Sequence, residues 1–191
     1  MESQKDIYYI NRVRNGDPSA YAYLVDKHKT MAFNVALQLM GNREDAEEVA
    51  QDAFLKAYQN LNSFKGEAKF STWIYRIIYN SAISRLRKKK IPVSSIDEEG
   101  GRVVNIKDTK LELQELKQEE QKQFLQQALE NMEREDKLLL TLFYLDENSV
   151  DEVAKIMGLT PSNVKVKLYR ARKKLYQKLR NLLQGEILEI L

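Results

Sequence analysis

"SVDEVAKIMGLTPSNVKVKLYRARKKL", residues 149 to 175, decides the fold. Ser149 and Glu152 stand at the S-x-x-E spacing of a capping box, which opens a short helix. Gly158 suits the left-handed residue that ends one. Thr160 followed by Pro161 opens another, because a proline at the first helical position has no N–H to lose. Two capped helices joined through a glycine turn make a helix-turn-helix. Projected at ~100° per residue, Val164, Leu168, Ala171 and Leu175 share one face of the second helix, with Ser162, Lys165, Val166, Tyr169 and Lys173 opposite. One side can pack while the other meets phosphates and base edges. A helix that merely packs in a bundle is the plainer alternative.

Upstream, the same periodicity predicts more helices. Asp17 and Pro18 open one that runs to Gly41, and Asn42 caps the next. That helix carries an apolar stripe of Ala46, Val49, Ala50, Ala53, Phe54, Ala57, Tyr58 and Leu61. Residues 62 to 69, with Gly66, read as a loop. From Phe70 the stripe resumes through Ile74, Ile77, Ile78, Ala82 and Leu86. Pro92, two serines and "DEEGG" mark residues 92–111 as a flexible linker. Helices are then expected from about Leu111 to Asn131, from about Lys137 to Tyr144, and from Thr160 to about Leu183. The fold class is all-α: two small helical domains, residues 1–91 and 112–191, the second containing the helix-turn-helix.

Composition narrows the function. With 43% apolar and 31% charged residues, the 191-residue chain can bury a core. Without cysteine it has neither a disulfide framework nor thiolate metal sites, which fits a reducing compartment. The N-terminus lacks a signal-peptide core, and the longest apolar run, Leu138 to Leu145, is too short for a bilayer, so a cytoplasmic location is expected. A net charge of +3 conceals two acid-free basic stretches. Phe70 to Lys90, "FSTWIYRIIYNSAISRLRKKK", holds six basic residues, and Lys165 to Arg180 holds eight. Such stretches suit a polyanion touched twice, or two solvated helix ends whose cations complement the macrodipole. His28, the single histidine, is expected on a helix surface, and the acids lie on helix faces; no metal, cofactor or catalytic residue is expected.

"GNREDAEEVAQDAFLKAY" leaves Glu44, Glu47, Glu48, Gln51, Asp52 and Leu55 facing out. Acids favour a helix N-terminus, but that covers only the first turn, so a docking surface is the competing explanation for Asp52 and Leu55. Taken in order, "REDAEEVAQDAFLKAY", "FSTWIYRIIYNSAISRLRKKK" and "DEVAKIMGLTPSNVKVKLYRARKKL" resemble a bacterial RNA polymerase sigma factor of the extracytoplasmic-function type, in the sigma-70 family. The resemblance spans almost the whole chain.

It implies a protein that binds core RNA polymerase and directs promoter-specific initiation, without enzymatic activity of its own and under the control of an anti-sigma factor. It implies that residues 1–91 grip the polymerase and melt the -10 element, while residues 112–191 read the -35 element. Glu47, Glu48, Gln51, Asp52 and Leu55 match the surface that docks on the beta-prime clamp helices, and the beta flap is a second expected contact. For the -10 element the matching positions are Phe64, Lys65, Lys69, Trp73, Arg76, Tyr79, Asn80, Ile83, Arg87 and Lys88, and the loop of residues 62–69 matches the one that holds a base flipped from the non-template strand. Arg76, Tyr79, Asn80, Ile83 and Arg87 are expected on one outward face, Phe64, Tyr75 and Tyr79 as aromatic surfaces, Arg85, Arg87 and Lys88 to Lys90 on phosphates, and Trp73 more as core support than as a DNA contact. For the -35 element they are Ser162, Asn163, Lys165, Val166, Tyr169, Arg170, Arg172 and Lys173. The chain departs from the family at Glu133, Asn163 and Val166, where proline, threonine and serine are frequent, so base preference is not copied. Elements one and a half turns apart are separated by roughly 50 Å at ~34 Å per turn, and about 19 residues of linker extend to ~63 Å. A stand-alone helix-turn-helix regulator remains the alternative, though it leaves the acidic helix and the first basic stretch without a role.

Overall fold

A computed structural model of the chain describes residues 2–89 and 118–190. The linker, the expected helix start at Leu111, and Lys90 lie outside the described residues. By contacts the chain divides into two units, Met1–Ser95 with Asn148–Val164, and Ile96–Glu147 with Lys165–Leu191.

In the first unit, α1 (Glu2–Arg14) leads through a 3-10 turn, Pro18–Ala20, into α2 (Tyr21–Met40). Gly41 ends α2 at φ 76, its N–H donating to the Leu37 carbonyl, and Asn42 at once caps α3 (Arg43–Gln59) with its Oδ1 accepting from Asp45 N at 2.9 Å. Two residues between helices fold α2 and α3 into a hairpin. Their facing sides bury Ala32, Ala36, Ala46, Ala50, Ala53 and Ala57, small side chains that let the axes approach. A second 3-10 turn, Leu61–Ser63, and a loop follow, then α4 (Phe70–Lys88), which lays Phe70, Ile74, Ile78, Ala82 and Leu86 onto that pair.

The second unit contains α5 (Gln118–Glu130) and α6 (Arg134–Leu140), and α7 (Val150–Met157) belongs to the first. The last helix, α8 (Pro161–Ile190), begins in the first unit and continues in the second. Phe124 and Ala128 of α5 pack on Leu179 and Leu183 of α8. Lys174 ties α8 to Asp136 at 2.8 Å.

Several expectations need correcting. His28 is buried at 6% exposure rather than on the surface, because α1 covers that side of α2. Its Nε2 lies 3.3 Å from Asp6 Oδ2, and Lys27 Nζ reaches the other oxygen at 2.8 Å. Tyr58, placed in the apolar stripe, is 40% exposed and meets Tyr21 edge-on. The helix expected from Lys137 to Tyr144 starts earlier and widens at Thr141–Leu145 into a π turn, Asp146 N bonding to Thr141 O. That wider turn keeps Leu142 buried and exposes Tyr144 and Leu145. The last helix also runs past Leu183. Among the described residues no helix is long and apolar enough to cross a membrane.

In α4 the Thr72 hydroxyl is buried without a hydrogen-bond partner. A buried hydroxyl left unsatisfied costs about 1 kcal/mol or more, so Thr72→Val should hold or raise the melting temperature. A clear drop in a thermal melt would show that the hydroxyl is satisfied.

Candidate functional site

The polar face of α3 is built by its register. Gln51, Asp52 and Leu55 are exposed, Leu55 at 56%, and Tyr58 continues the strip one turn later. Glu47 is half-buried and accepts from Arg43 Nε at 2.7 Å. Together they form an acidic strip ending in an exposed leucine and tyrosine.

At the other end of α3 the first helical turn meets the last turn of α4. Asp45 accepts from Lys89 Nζ at 2.7 and 2.8 Å, from Asn42 Nδ2 at 2.7 Å, and from Arg85 at 2.8 and 3.1 Å. Arg85 also donates to Glu48 at 2.5 Å. The Lys89 ammonium, with Asn42 and Arg85, holds the Asp45 carboxyl far below the usual carboxylate range. Arg85 does the same to Glu48, more weakly. Arg85 and Lys89, expected on phosphates, are therefore committed to a clamp between two helices. Arg87 and Lys88 stay exposed beside it.

Along α4, Arg76, Asn80 and Arg87 face outward as expected, together with Ser84, but Ile83 is buried and Tyr79 half-buried. The reason is that α4 contacts α2, α3 and α7, so more than half of its circumference is covered. Tyr75 and Phe64, expected as aromatic surfaces, are 5% and 6% exposed. Phe64 is support instead: its ring lies 5.7 Å from Phe70 and 5.4 Å from Trp73.

Trp73 is half-buried and forms the wall between two clefts. One, of about 340 Å³, is lined by Lys56, Asn60, Ser63, Asn80 and Ser84. The other, of about 240 Å³, is lined by Ser63, Phe64, Lys65, Gly66 and Arg76. Lys65 is exposed, and Lys69 pairs with Glu152 at 3.1 Å. The sequence pattern singles out neither Lys56, Asn60 nor Ser84, which join the site only when the end of α3 and the following turn fold against α4, whereas Ser63 belongs to the loop 62–69 already matched to base capture. Arg14 is a further residue it missed. From α1, it donates to the Leu61 carbonyl at 2.8 Å and also to that of Phe64, across 47 and 50 residues.

In the helix-turn-helix, Ser149 and Glu152 form the expected reciprocal box, with bonds of 3.2 and 2.9 Å, and Gly158 adopts φ 68. Thr160 Oγ1 accepts from Asn163 N at 3.2 Å. Ser162, Asn163, Lys165, Val166, Tyr169, Arg170 and Arg172 are exposed and Lys173 half-buried, while Val164, Leu168 and Ala171 are buried. Arg172 is partly occupied, donating to the Leu168 carbonyl at 3.2 Å and to the Tyr144 hydroxyl at 3.3 Å.

Known proteins match this arrangement in order. The family model for sigma-70 region 2 covers residues 24–91, and that for sigma-70 region 4 covers residues 123–175. The chain is 33% identical over 179 residues to the ECF RNA polymerase sigma factor SigW of Bacillus subtilis, covering 91% of this chain and 96% of that one. It is 29% identical over 192 residues to the ECF RNA polymerase sigma-E factor of Escherichia coli K12, covering 96% and 98%. In fold it resembles CnrH, solved with the cytosolic domain of CnrY, at TM-score 0.61 and 22% identity over 95% of this chain and 98% of that one. It also resembles the sigma factor RpoE of Bartonella quintana, solved with the anti-sigma factor NepR, at TM-score 0.57 and 19% identity over 84% and 96%.

Asp45 and Glu48 stay ionised in the folded protein at pH values where the unfolded chain protonates them. Their contribution is complete above about pH 5 and is lost as pH falls from there through the depressed folded values. Urea unfolding from pH 5 to 3 should show a steeper loss of stability in the native protein than in Asp45→Asn. Equal slopes would mean that the clamp is not linked to protonation.

Proposed function

The chain belongs to the sigma-70 family, among sigma factors of the extracytoplasmic-function type that direct promoter-specific initiation by core RNA polymerase, and we propose how its parts divide that work. Residues 1–91 grip the polymerase and open the -10 element, residues 92–111 tether, and residues 112–191 read the -35 element. The family matches at 24–91 and 123–175 support this division. They also leave the stand-alone regulator without support, since that alternative needs only the second part.

On α3, Gln51, Asp52 and Leu55, flanked by Glu47 and Glu48, dock on the beta-prime clamp helices. An acidic strip with an apolar end suits a helical partner with basic and apolar positions. On α8, Lys165, Arg170 and Lys173 hold phosphates, while Ser162, Asn163, Val166 and Tyr169 reach base edges in the major groove. The beta flap supplies the second polymerase contact, to residues 112–191. An anti-sigma factor covers these surfaces in the resting cell, a role suggested by the anti-sigma factor NepR bound to the Bartonella quintana neighbour. All of this takes place in the cytoplasm.

The observation that carries the -10 assignment is the half-buried Trp73 between two clefts on a basic helix face. Opening the duplex costs a few kcal/mol per extruded base. A base stacked on an aromatic wall recovers about 1 to 3 kcal/mol. Trp73 presents such a wall while Phe64 and Phe70 hold it from behind, so support and contact are two sides of one indole. Arg76 and Asn80 border the clefts, and Arg87 and Lys88 hold the strand by its phosphates.

Transcription in vitro with purified core polymerase on fragmented genomic DNA should give promoter-specific starts that depend on this protein. Starts no more specific than those of core polymerase alone would refute the assignment. Arg87→Ala should slow open-complex formation by about tenfold and leave core affinity unchanged; equal loss of both would place Arg87 elsewhere. Asp52→Arg should weaken core binding by about tenfold or more, measured by competition for core polymerase. Native affinity in that variant would remove α3 from the polymerase interface.

A further inference from the structure

We propose that Arg14, on the N-terminal helix outside the residues matched to the family, is the positioning residue that shapes the base-capturing loop. The inference rests on the assignment of the 240 Å³ cleft to a base extruded from the -10 element. The wall of that cleft is the turn and loop from Leu61 to Gly66. Leu61 and Phe64 are anchored by buried side chains, at 3% and 6% exposure, so their peptide groups are all that links the anchor to the exposed rim. The turn is closed by Ser63 N to Asn60 O at 2.9 Å and Phe64 N to Leu61 O at 3.1 Å. Beyond Phe64 the chain reaches Lys65 and then Gly66, whose φ of +73 aims the rim.

Arg14 fixes the peptide at the point where anchor becomes rim. Its guanidinium bonds both the Leu61 and the Phe64 carbonyls, one at each end of the turn. Both bonds leave one nitrogen, Nη2, whose two N–H directions are fixed in the guanidinium plane, whereas a lysine ammonium carries three freely rotating donors on a shorter side chain. The end of α1 is held as well. Gly16 turns the chain at φ +92, and Arg12 pairs with Asp17 at 2.5 Å, which also accepts from the Ser19 hydroxyl at 2.5 Å. The arginine thus projects from a braced helix end onto the loop. Its side chain does not fill the core, since residue 14 is exposed. Arg14 touches no base in this account. It sets the orientation of the Phe64–Lys65 peptide, and through it the width of the slot that a base enters beside Trp73.

A positioning role of this kind has a signature that loss of folding or loss of a phosphate contact does not share. It changes preference at one nucleotide and leaves the others alone. Holoenzyme assembled from core polymerase and the full chain is used to select from single-stranded DNA with eight randomised positions, and the bound pool is sequenced. The native protein should enrich a motif. Arg14→Ala should flatten preference at one position by about tenfold, the scale of a single base-specific contact, with neighbouring positions unchanged. Arg14→Lys should flatten the same position, because it keeps the charge but neither the reach nor the fixed in-plane donors of Nη2; it also carries the test if the alanine variant does not fold. An unchanged motif in both variants, preference uniformly weakened at every position, or full preference retained by Arg14→Lys would each overturn the role of Arg14. A native holoenzyme that enriches no motif would overturn the base-capture assignment itself.

Discussion

Asp45 is a carboxylate at 8% exposure that accepts hydrogen bonds from Asn42 on its own helix and from Arg85 and Lys89 on the next. Burying a carboxylate is costly unless cations and donors surround it. Here they do, and the result is a joint between the start of α3 and the end of α4. The two faces proposed to act lie on those two helices: the acidic strip on α3 and the basic, aromatic-walled face on α4. Removing one partner would leave charge stranded in the joint, so the register between the faces is specified by electrostatics as well as by packing. Glu48 sits on both sides of this arrangement, belonging to the acidic strip while bonded to Arg85.

The joint also sorts the cations. Of the basic residues that end α4, Arg85 and Lys89 are spent inward, while Arg87 and Lys88 face solvent. A cation held at under 3 Å by a carboxylate has little left for a phosphate. The basic stretch is therefore two sets of residues with different duties, interleaved along one helix. The aromatic residues divide in the same way. Phe64, Phe70 and Tyr75 are all buried, Phe64 and Phe70 hold Trp73 in place, and the indole keeps one side for the clefts.

Much of the architecture was legible in the residues. Helix ends were readable because caps are local: Asn42, Ser149 with Glu152, Gly158 and Thr160 each act over three or four residues and bond as their spacing implies. The exposed side of α8 was readable because Val164, Leu168 and Ala171 leave only one way round. What was not legible depends on partners far along the chain. His28 became a buried residue through α1, and Ile83 lost its outward place because α4 packs against several other helices. Arg14 gave no signal at all, since its acceptors are backbone carbonyls, which every residue has.

Sequence by itself determined that this is an all-helical chain with a helix-turn-helix, an exposed acidic strip and a basic aromatic helix, and it was enough to show the family. Periodicity, capping and motif order are properties of neighbouring residues, and they survive without coordinates. Tertiary structure alone decided which cations are free, which aromatics are support and where the clefts open. Each of those depends on how much of a side chain another helix covers, and burial is settled by packing between elements that spacing along one helix does not describe.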